Sequence, residues 1–136
     1  MADRLTLEIA TPTRMVIAET ADEVVLPGSE GSFGVLPGHA PFLTTLGIGE
    51  ATYRVGRDEY HLALVGGFAE VRNDKVIVLT DLAERADEID RARAGRAKER
   101  AERRLSGRSP EDLDYTRALA ALLRALARLL VAGRGQ

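Results

Sequence analysis

The 136-residue chain changes its sequence pattern abruptly near residue 87. Before this point glycines, prolines and short apolar–polar alternations recur, whereas EIDRARAGRAKERAERRL (88–105) contains six arginines, one lysine and alanines at helical spacing. Residues 1–86 have seven Lys/Arg and thirteen Asp/Glu, a net charge of −6, while residues 87–136 have twelve and eight, a net charge of +4. This change in composition and charge predicts two domains, 1–86 and 87–136.

The first domain has the pattern of short β-strands. RLTLEIA (4–10) alternates apolar and polar residues with the period of a strand that buries one face. Turn-forming residues at 56–58 and an Asn-Asp pair at 73–74 interrupt two longer alternating stretches and predict two pairs of antiparallel strands. The segment VIVL (76–79) is apolar at every position, which predicts that a second sheet covers it. We therefore expect a compact all-β flattened sandwich or barrel at the amino terminus.

The second domain has helical spacing in two segments. Asp87 is placed to cap a first helix, whose apolar stripe consists mainly of alanines at intervals of three and four residues. SGRSPED (106–112) interrupts the pattern, Ser109 is placed to cap a second helix over 110–131, and Gly133 is placed to end it. A short loop between two helices predicts an antiparallel α-helical hairpin at the carboxy terminus.

The second helix has more large apolar side chains than the first helix can cover. Its apolar face comprises Leu119, Leu122, Leu123, Leu126, Leu129, Leu130 and Val131. Burial of apolar surface stabilises by about 25 cal/mol per Å², and the alanines of the first helix offer little surface against which these side chains can be buried. We expect a hairpin that is mobile or depends on a partner, with permanent docking on the sandwich as the alternative.

The arginines of the hairpin are compatible with an anion site. On the first helix four charged residues fall within an arc of about 80°, namely Asp90, Arg93, Arg100 and Arg104. Antiparallel pairing would bring Arg124 and Arg128 of the second helix beside Glu84 and Asp87. Guanidinium groups and helix amides converging there would suit a phosphate group.

Other interpretations of the basic helices stay open at this point. Glu99 and Glu102 could neutralise the arginines and leave a solvated helix face. Binding of nucleic acid is disfavoured because the first helix has no aromatic residue and the adjoining domain is acidic. A membrane-surface helix is the third alternative, although the second helix lacks Trp and Phe anchors.

The sequence contains no recognisable catalytic or metal-binding pattern. His39 and His61 are the only histidines, cysteine is absent, and neither histidine has the spacing of a zinc site or a triad. The glycines of GSEGSFG (28–34) lack the ending of a P-loop, and Gly66-Gly67 fits a bend between strands. We expect no catalytic residue, metal site or catalytic cofactor, and neither a secretory signal nor a membrane-spanning segment.

Four motifs in order resemble the ε subunit of the F-type ATP synthase, over roughly residues 5–131. They are GSEGSFGVLPGHAPFLTTL (28–46), GGFAEV (66–71), LAERADEIDRARA (82–94) and KERAERRL (98–105). The resemblance implies a flattened β-sandwich followed by a helical hairpin, in a non-catalytic subunit of the central rotor stalk. It also implies a peripheral location on the cytoplasmic face of the inner (plasma) membrane.

The resemblance further implies protein partners for each domain. The sandwich would bind the γ subunit and rest on the c-ring, with Glu30, Ser32 and His39 as contacts to the rotor. Ser32 stands where many relatives have an acidic residue. The hairpin would fold down on the sandwich or extend along γ toward the α and β subunits, where it would inhibit ATP hydrolysis.

In ATP-binding members of this family the hairpin carries the box Ile/Leu-Asp-x-x-Arg-Ala, which residues 89–94 match in full. The residues implied to bind ATP, with or without magnesium, are Glu84, Ile89, Asp90, Arg93, Ala94, Arg100, Arg124 and Arg128. Gly95 departs from the family pattern just after the box, where relatives have a better helix former. A free-standing ATP-sensing module that uses the same box outside a rotary complex is the alternative function.

Overall fold

The computed structural model describes residues 4–134, which form ten β-strands followed by two α-helices. The strands are β1 (Leu5–Ala10), β2 (Met15–Ala21), β3 (Glu23–Gly28), β4 (Gly31–Val35), β5 (Phe42–Thr45), β6 (Ile48–Val55), β7 (Asp58–Val65), β8 (Phe68–Arg72), β9 (Lys75–Leu79) and β10 (Leu82–Arg85). A single 3₁₀ turn (Ala86–Glu88) leads to α1 (Arg91–Leu105) and α2 (Leu113–Ala132). The predicted β-sandwich followed by a helical hairpin is confirmed.

The ten strands form two five-stranded sheets. Sheet 1 has the order β2-β1-β9-β8-β5, and sheet 2 has the order β10-β7-β6-β3-β4. The strand pairs are antiparallel except β1 and β9, which run parallel with Leu7 opposite Val76. The first strand therefore lies inside sheet 1, between its sequence neighbour β2 and β9 from near the end of the domain.

The main core lies between the two sheets. Leu5, Leu7 and Ile9 of β1 are almost completely buried there, as their alternating pattern predicted. A second sheet covers VIVL (76–79), as predicted, and it does so on one face. Val76 and Val78 point into the core, whereas the Leu79 side chain is 44% exposed because nothing in the described part of the chain packs on the outside of sheet 1.

Two tight connections determine how the strands pair. Asn73 and Asp74 both have positive φ values, 53° and 59°, and join β8 to β9 as the hairpin pattern predicted. Gly66 and Gly67 also have positive φ values and carry the chain from β7 in sheet 2 to β8 in sheet 1. A Cβ atom at Gly67 would overlap the carbonyl oxygen of Leu79, so glycine is required at this crossing.

Both helices begin about three residues later than predicted. The cap of α1 is Asp90, whose carboxylate accepts a hydrogen bond from the Arg93 amide at 3.0 Å, and Asp87 lies in the preceding 3₁₀ turn. The cap of α2 is Asp112, whose carboxylate accepts from the Asp114 amide at 2.9 Å, while Ser109 lies in the loop. In each case the carboxylate nearest the helix caps it, because only that side chain reaches the free amides of the first turn.

The two helices pack against each other as an antiparallel hairpin through small side chains. Ala94 and Ala101 of α1 are buried, as are Ala118 and Ala125 of α2. Among residues 4–134, no helix is long and apolar enough to cross a membrane.

Candidate nucleotide site and docking surfaces

The hairpin is docked on the outer face of sheet 2 through α2. A second, smaller apolar cluster forms at this contact, separate from the core of the sandwich. Its members are Ala63, Ala86, Ala127 and Val131, with Ile48 and Ile89 partly buried against them. All four buried residues are alanine or valine, from β7, the 3₁₀ turn and α2, so the contact buries little apolar area compared with a protein core.

Two ion pairs link α2 and its end to sheet 2. The Arg128 Nε donates to the Glu84 Oε1 at 2.6 Å, and both side chains are partly buried. Arg134 donates to both oxygens of Glu50 at 2.8 and 2.9 Å, and this carboxylate raises the pKa of Arg134. The docked position of α2 therefore depends on a small apolar contact with an ion pair at Arg128 and another just beyond the helix end.

A third polar contact holds the segment that joins the two domains. The Glu88 carboxylate accepts hydrogen bonds from the Arg85 backbone amide at 2.9 Å and from Arg14 at 3.0 Å. The hydrogen bond from the Arg85 amide is the main cause that lowers the pKa of Glu88, and Arg14 lowers it further. The Arg85 guanidinium also donates to the Val16 carbonyl at 2.8 Å and so links β10 to β2.

The structure brings part of the predicted ATP-binding set together. Glu84 and Arg128 are in direct contact across the docking interface. Ile89 packs against the small apolar cluster, and Ala94 is buried between the helices. The predicted ATP-binding residues therefore include side chains from both partners of the interface, namely the sandwich and the hairpin.

Other residues of the predicted set lie apart from this contact. Asp90 caps α1 with its carboxylate turned to the Arg93 amide, and the Arg93 side chain is exposed. Arg100 lies about 15 Å farther along the helix at 1.5 Å per residue and lines a basic depression at the hairpin loop with Arg103, Arg104 and Arg108. Arg124 is partly buried on α2. The common arc predicted for Asp90 with the arginines fails because Asp90 precedes the helix and has extended backbone angles.

The residues predicted to contact the rotor lie in two connections at the edges of the sandwich. Glu30 is in the turn between β3 and β4, and Ser32 follows it on β4; both are exposed. His39 lies in the loop before β5, where its ring contacts that of Phe42 edge-on, and Phe42 in turn contacts Phe33. These aromatic contacts join the two connections into one surface.

The outer face of sheet 1 carries an apolar patch that the sequence analysis missed, beside the charged residues Glu8, Glu70 and Lys75 of the same face. It lies on the side of the sandwich away from the hairpin, and four large apolar side chains on it are about half exposed: Met15, Leu43, Phe68 and Leu79. The strand register places Leu79 between Ala10 and Phe68 in one row across the sheet. The apolar run at 76–79 was the signal for this surface. An exposed apolar patch of this kind is typical of a protein-binding face.

A second exposed apolar surface lies on α2. Leu119, Leu123, Leu126 and Leu130 are spaced four, three and four residues apart and are 37–51% exposed while the hairpin is docked. They fall within an arc of about 60° on the helix, and we call them the leucine stripe. The excess of large side chains predicted for this helix is confirmed, since the docked hairpin leaves four of its leucines uncovered.

Within residues 4–134, no three His, Asp or Glu side chains lie close enough to hold a metal ion. The site described above consists instead of guanidinium and carboxylate groups, with Glu84 of β10 paired to Arg128 of α2 across the docking interface.

Residues 4–86 match the family model for the β-sandwich domain of the ATP synthase Delta/Epsilon chain. Residues 87–133 match the model for the long alpha-helix domain of the same chain. The chain belongs to this family.

Curated ε chains are similar to this member of the ATP synthase δ/ε family over its whole length. It is 53% identical to ATP synthase epsilon chain 2 of Syntrophotalea carbinolica over 135 residues, which cover 99% of this chain and 98% of the relative. It is 52% identical to the ATP synthase epsilon chain of Geobacter metallireducens over 134 residues, 98% and 97% of the two chains.

A solved structure shares the fold of this ε-type chain. A chain of the Euglena gracilis mitochondrial ATP synthase, in a complex of OSCP, F1 and c-ring, superposes with a TM-score of 0.83 at 23% identity. The superposition covers 98% of this chain and 83% of the Euglena chain. At this identity the likeness establishes the common fold.

Proposed function

We propose that this ε-type chain is a non-catalytic rotor subunit of an F-type ATP synthase that couples the γ subunit to the c-ring. The exposed apolar face of sheet 1 supports this function, because it offers γ a surface that the docked hairpin does not cover. The connections containing Glu30, Ser32 and His39 would meet the c-ring. The subunit would then be peripheral to the membrane, on its cytoplasmic side.

We further propose that the hairpin inhibits ATP hydrolysis when it leaves the sandwich and extends toward the α and β subunits. The leucine stripe is the observation that carries this proposal. It is exposed in the docked position, and burying it on a second surface would offset the loss of the small docking contact. A hairpin with two surfaces of similar energy can be moved between them by a ligand that favours one.

ATP is the ligand we propose for the docked position. Glu84 belongs to the sandwich and Arg128 to α2, so a nucleotide bound among the predicted ATP-binding residues would contact both domains. Such binding would stabilise the docked position by a free energy that grows with the logarithm of the nucleotide concentration relative to its dissociation constant. The basic depression at the hairpin loop would remain available for acidic surfaces of the catalytic subunits.

Truncation tests the inhibitory role. Deleting residues 87–136 removes the hairpin but leaves the core between the sheets intact, since its buried residues all belong to the sandwich. We expect the truncated subunit to bind γ at micromolar concentration and ATP hydrolysis by the assembled complex to rise. Unchanged hydrolysis with full assembly would exclude the inhibitory role, and failure to bind γ would favour a free-standing ATP-sensing module.

Hydrogen exchange tests the nucleotide role on the isolated full-length chain. We expect ATP to slow exchange of the α2 amides, with and without magnesium, and the Arg93→Ala variant to lose this protection because a phosphate-binding guanidinium is removed. Arg117→Ala is the matched control, since Arg117 is an exposed arginine on α2 outside the predicted set. Equal protection in the Arg93→Ala variant and the unmodified chain would contradict the assignment.

A further inference from the structure

An unassigned cleft opens along one edge of the sandwich. It has a volume of about 640 Å³ and is lined by residues of β2 from sheet 1, of β6 and β7 from sheet 2, and of the segment 85–87 that leads to the hairpin. None of the predicted ATP-binding or rotor-contact residues lines it. A cleft of this volume is large enough for a small organic molecule.

Two stacked tyrosines form the aromatic part of the cleft. The rings of Tyr53 and Tyr60 are parallel within 21°, with centroids 5.0 Å apart. The Tyr53 side chain is only 7% exposed, and no described residue among 4–134 bonds its hydroxyl, so the hydroxyl oxygen is the part that stays accessible to solvent in the cleft. Burial and then the charge of Glu19 raise the pKa of Tyr53, so the phenol is neutral and its oxygen is free to accept a hydrogen bond.

Carboxylates dominate the charged lining of the cleft. Glu19, Asp58 and Asp87 all line it, and none of the three forms an ion pair within residues 4–134. Arg85 is the single Lys or Arg of the lining, and its guanidinium already donates to the Val16 carbonyl. The cleft therefore has an excess of negative charge beside a neutral aromatic surface.

We propose that this cleft binds a small organic cation with a guanidinium head group. A guanidinium donates to carboxylate oxygens and a phenol oxygen through its planar N–H groups, and its flat face stacks on tyrosine rings. A metal ion fits less well, because no three acidic side chains of the described residues lie close enough to hold one. An anion would meet the three unpaired carboxylates.

Tyrosine fluorescence can detect such binding directly. The chain has three tyrosines and no tryptophan, and two of the tyrosines line the cleft. In the full-length chain with Tyr115→Phe, emission comes from Tyr53 and Tyr60 alone. We expect a saturable change on titration with agmatine, a monoguanidinium amine, and no saturable change with butylurea, a neutral compound with a similar planar head.

Charge substitutions identify the site. Glu19→Gln combined with Asp58→Asn removes two charges from exposed positions, and we expect the dissociation constant for agmatine to rise about tenfold. Glu30→Gln removes one exposed charge outside the cleft and should leave the dissociation constant unchanged. Far-UV circular dichroism of each variant establishes that the fold is retained.

Ionic strength provides a test that needs no charge substitution. Raising NaCl from about 20 to 200 mM should weaken agmatine binding several-fold, because salt screens the attraction of exposed carboxylates. The absence of a saturable change up to 20 mM agmatine, an equal response to butylurea, or the same affinity in the double variant would each overturn the proposal. A response that does not depend on salt would overturn it as well.

Discussion

At the scale of single residues, Glu88 illustrates how one carboxylate ties two parts of the chain together. It accepts from the Arg85 amide and from Arg14, and so fastens the start of the hairpin to the loop between β1 and β2. No pattern in the sequence distinguishes it from the neighbouring acidic residues Asp87 and Asp90. Arg14 lies 74 residues earlier in the chain, and only the folded sandwich brings the two side chains into contact.

The lowered pKa of Glu88 predicts a loss of stability in acid. A carboxyl group whose folded pKa lies below its unfolded value contributes stability above the unfolded value, about 4.5, and loses it as the pH falls through the folded pKa. Because Glu88 is partly exposed, solvent screening limits its contribution to roughly 0.5 kcal/mol. We expect Glu88→Gln to reduce the pH dependence of the free energy of unfolding below pH 4.5, measured by urea denaturation.

Glu99→Gln is the matched control for this measurement. Glu99 is exposed on α1 and has no ion pair within the described residues 4–134. Its substitution should leave the slope of stability against pH unchanged. An identical slope in the Glu88→Gln variant and the unmodified chain would show that these hydrogen bonds do not persist in solution.

The candidate site shows how far residue patterns alone can go. The juxtaposition of Glu84 and Arg128 could be predicted, because helix periodicity and the antiparallel turn fix their relative positions. The departure of Asp90 from the arc that it was expected to share with the arginines could not, since that arc requires a helix that begins before Asp90. The true start at Arg91 depends on which of several nearby carboxylates caps the helix, and sequence spacing does not distinguish them.

At the scale of elements, two glycines have opposite structural roles. Gly67 has φ of 100° at the crossing between the sheets, where a Cβ would overlap the Leu79 carbonyl oxygen and approach Thr80. Gly95 lies within α1, where a Cβ would have no atom within 4 Å. Glycine is required at the first position and costs helix stability at the second.

Alanine substitutions at these glycines should therefore change stability in opposite directions. We expect Gly67→Ala to lower the free energy of unfolding by about 3 kcal/mol or more, because the backbone must move at the crossing. Gly95→Ala should stabilise α1 by about 1 kcal/mol. Urea denaturation measures the first effect, and hydrogen exchange of α1 amides measures the second. A Gly67→Ala variant as stable as the unmodified chain would contradict the close approach at Leu79.

The elements themselves were predictable where a pattern had one interpretation. The alternating residues of β1 and the turn at 73–74 predicted strands that the structure contains. The apolar run at 76–79 correctly predicted a covering sheet, but such a run does not say whether its second face meets the same chain or another protein. The same ambiguity left the docking of α2 open between the sandwich and a partner.

At the scale of the whole molecule, substitutions in the leucine stripe can test the proposed inhibition without unfolding the chain. Leu123 and Leu130 are 42% and 51% exposed in the docked hairpin, so Leu123→Gln combined with Leu130→Gln should change the stability of the isolated chain by no more than about 0.5 kcal/mol. If the stripe is buried when the hairpin inhibits, ATP hydrolysis by the assembled complex should rise toward the level reached by truncation.

Leu113→Gln is the control for the stripe. Leu113 is 65% exposed at the start of α2 and lies about 80° around the helix from the nearest member of the stripe. Its substitution should leave both stability and hydrolysis unchanged. If hydrolysis in the double variant stayed at the level of the unmodified complex, the stripe would have no part in inhibition.

The parallel pairing of β1 with β9 affects how the protein is made. Sheet 1 cannot be completed until Leu79 has been synthesised, because β9 separates β1 from β8. At 5–20 residues per second, the β1 edge of the β1–β2 hairpin, which is complete at Ala21, therefore stays unpaired for roughly 3–12 seconds until β9 has been made. During that interval the free strand edge can pair with another chain, so this is the stage of synthesis at which aggregation is most favoured.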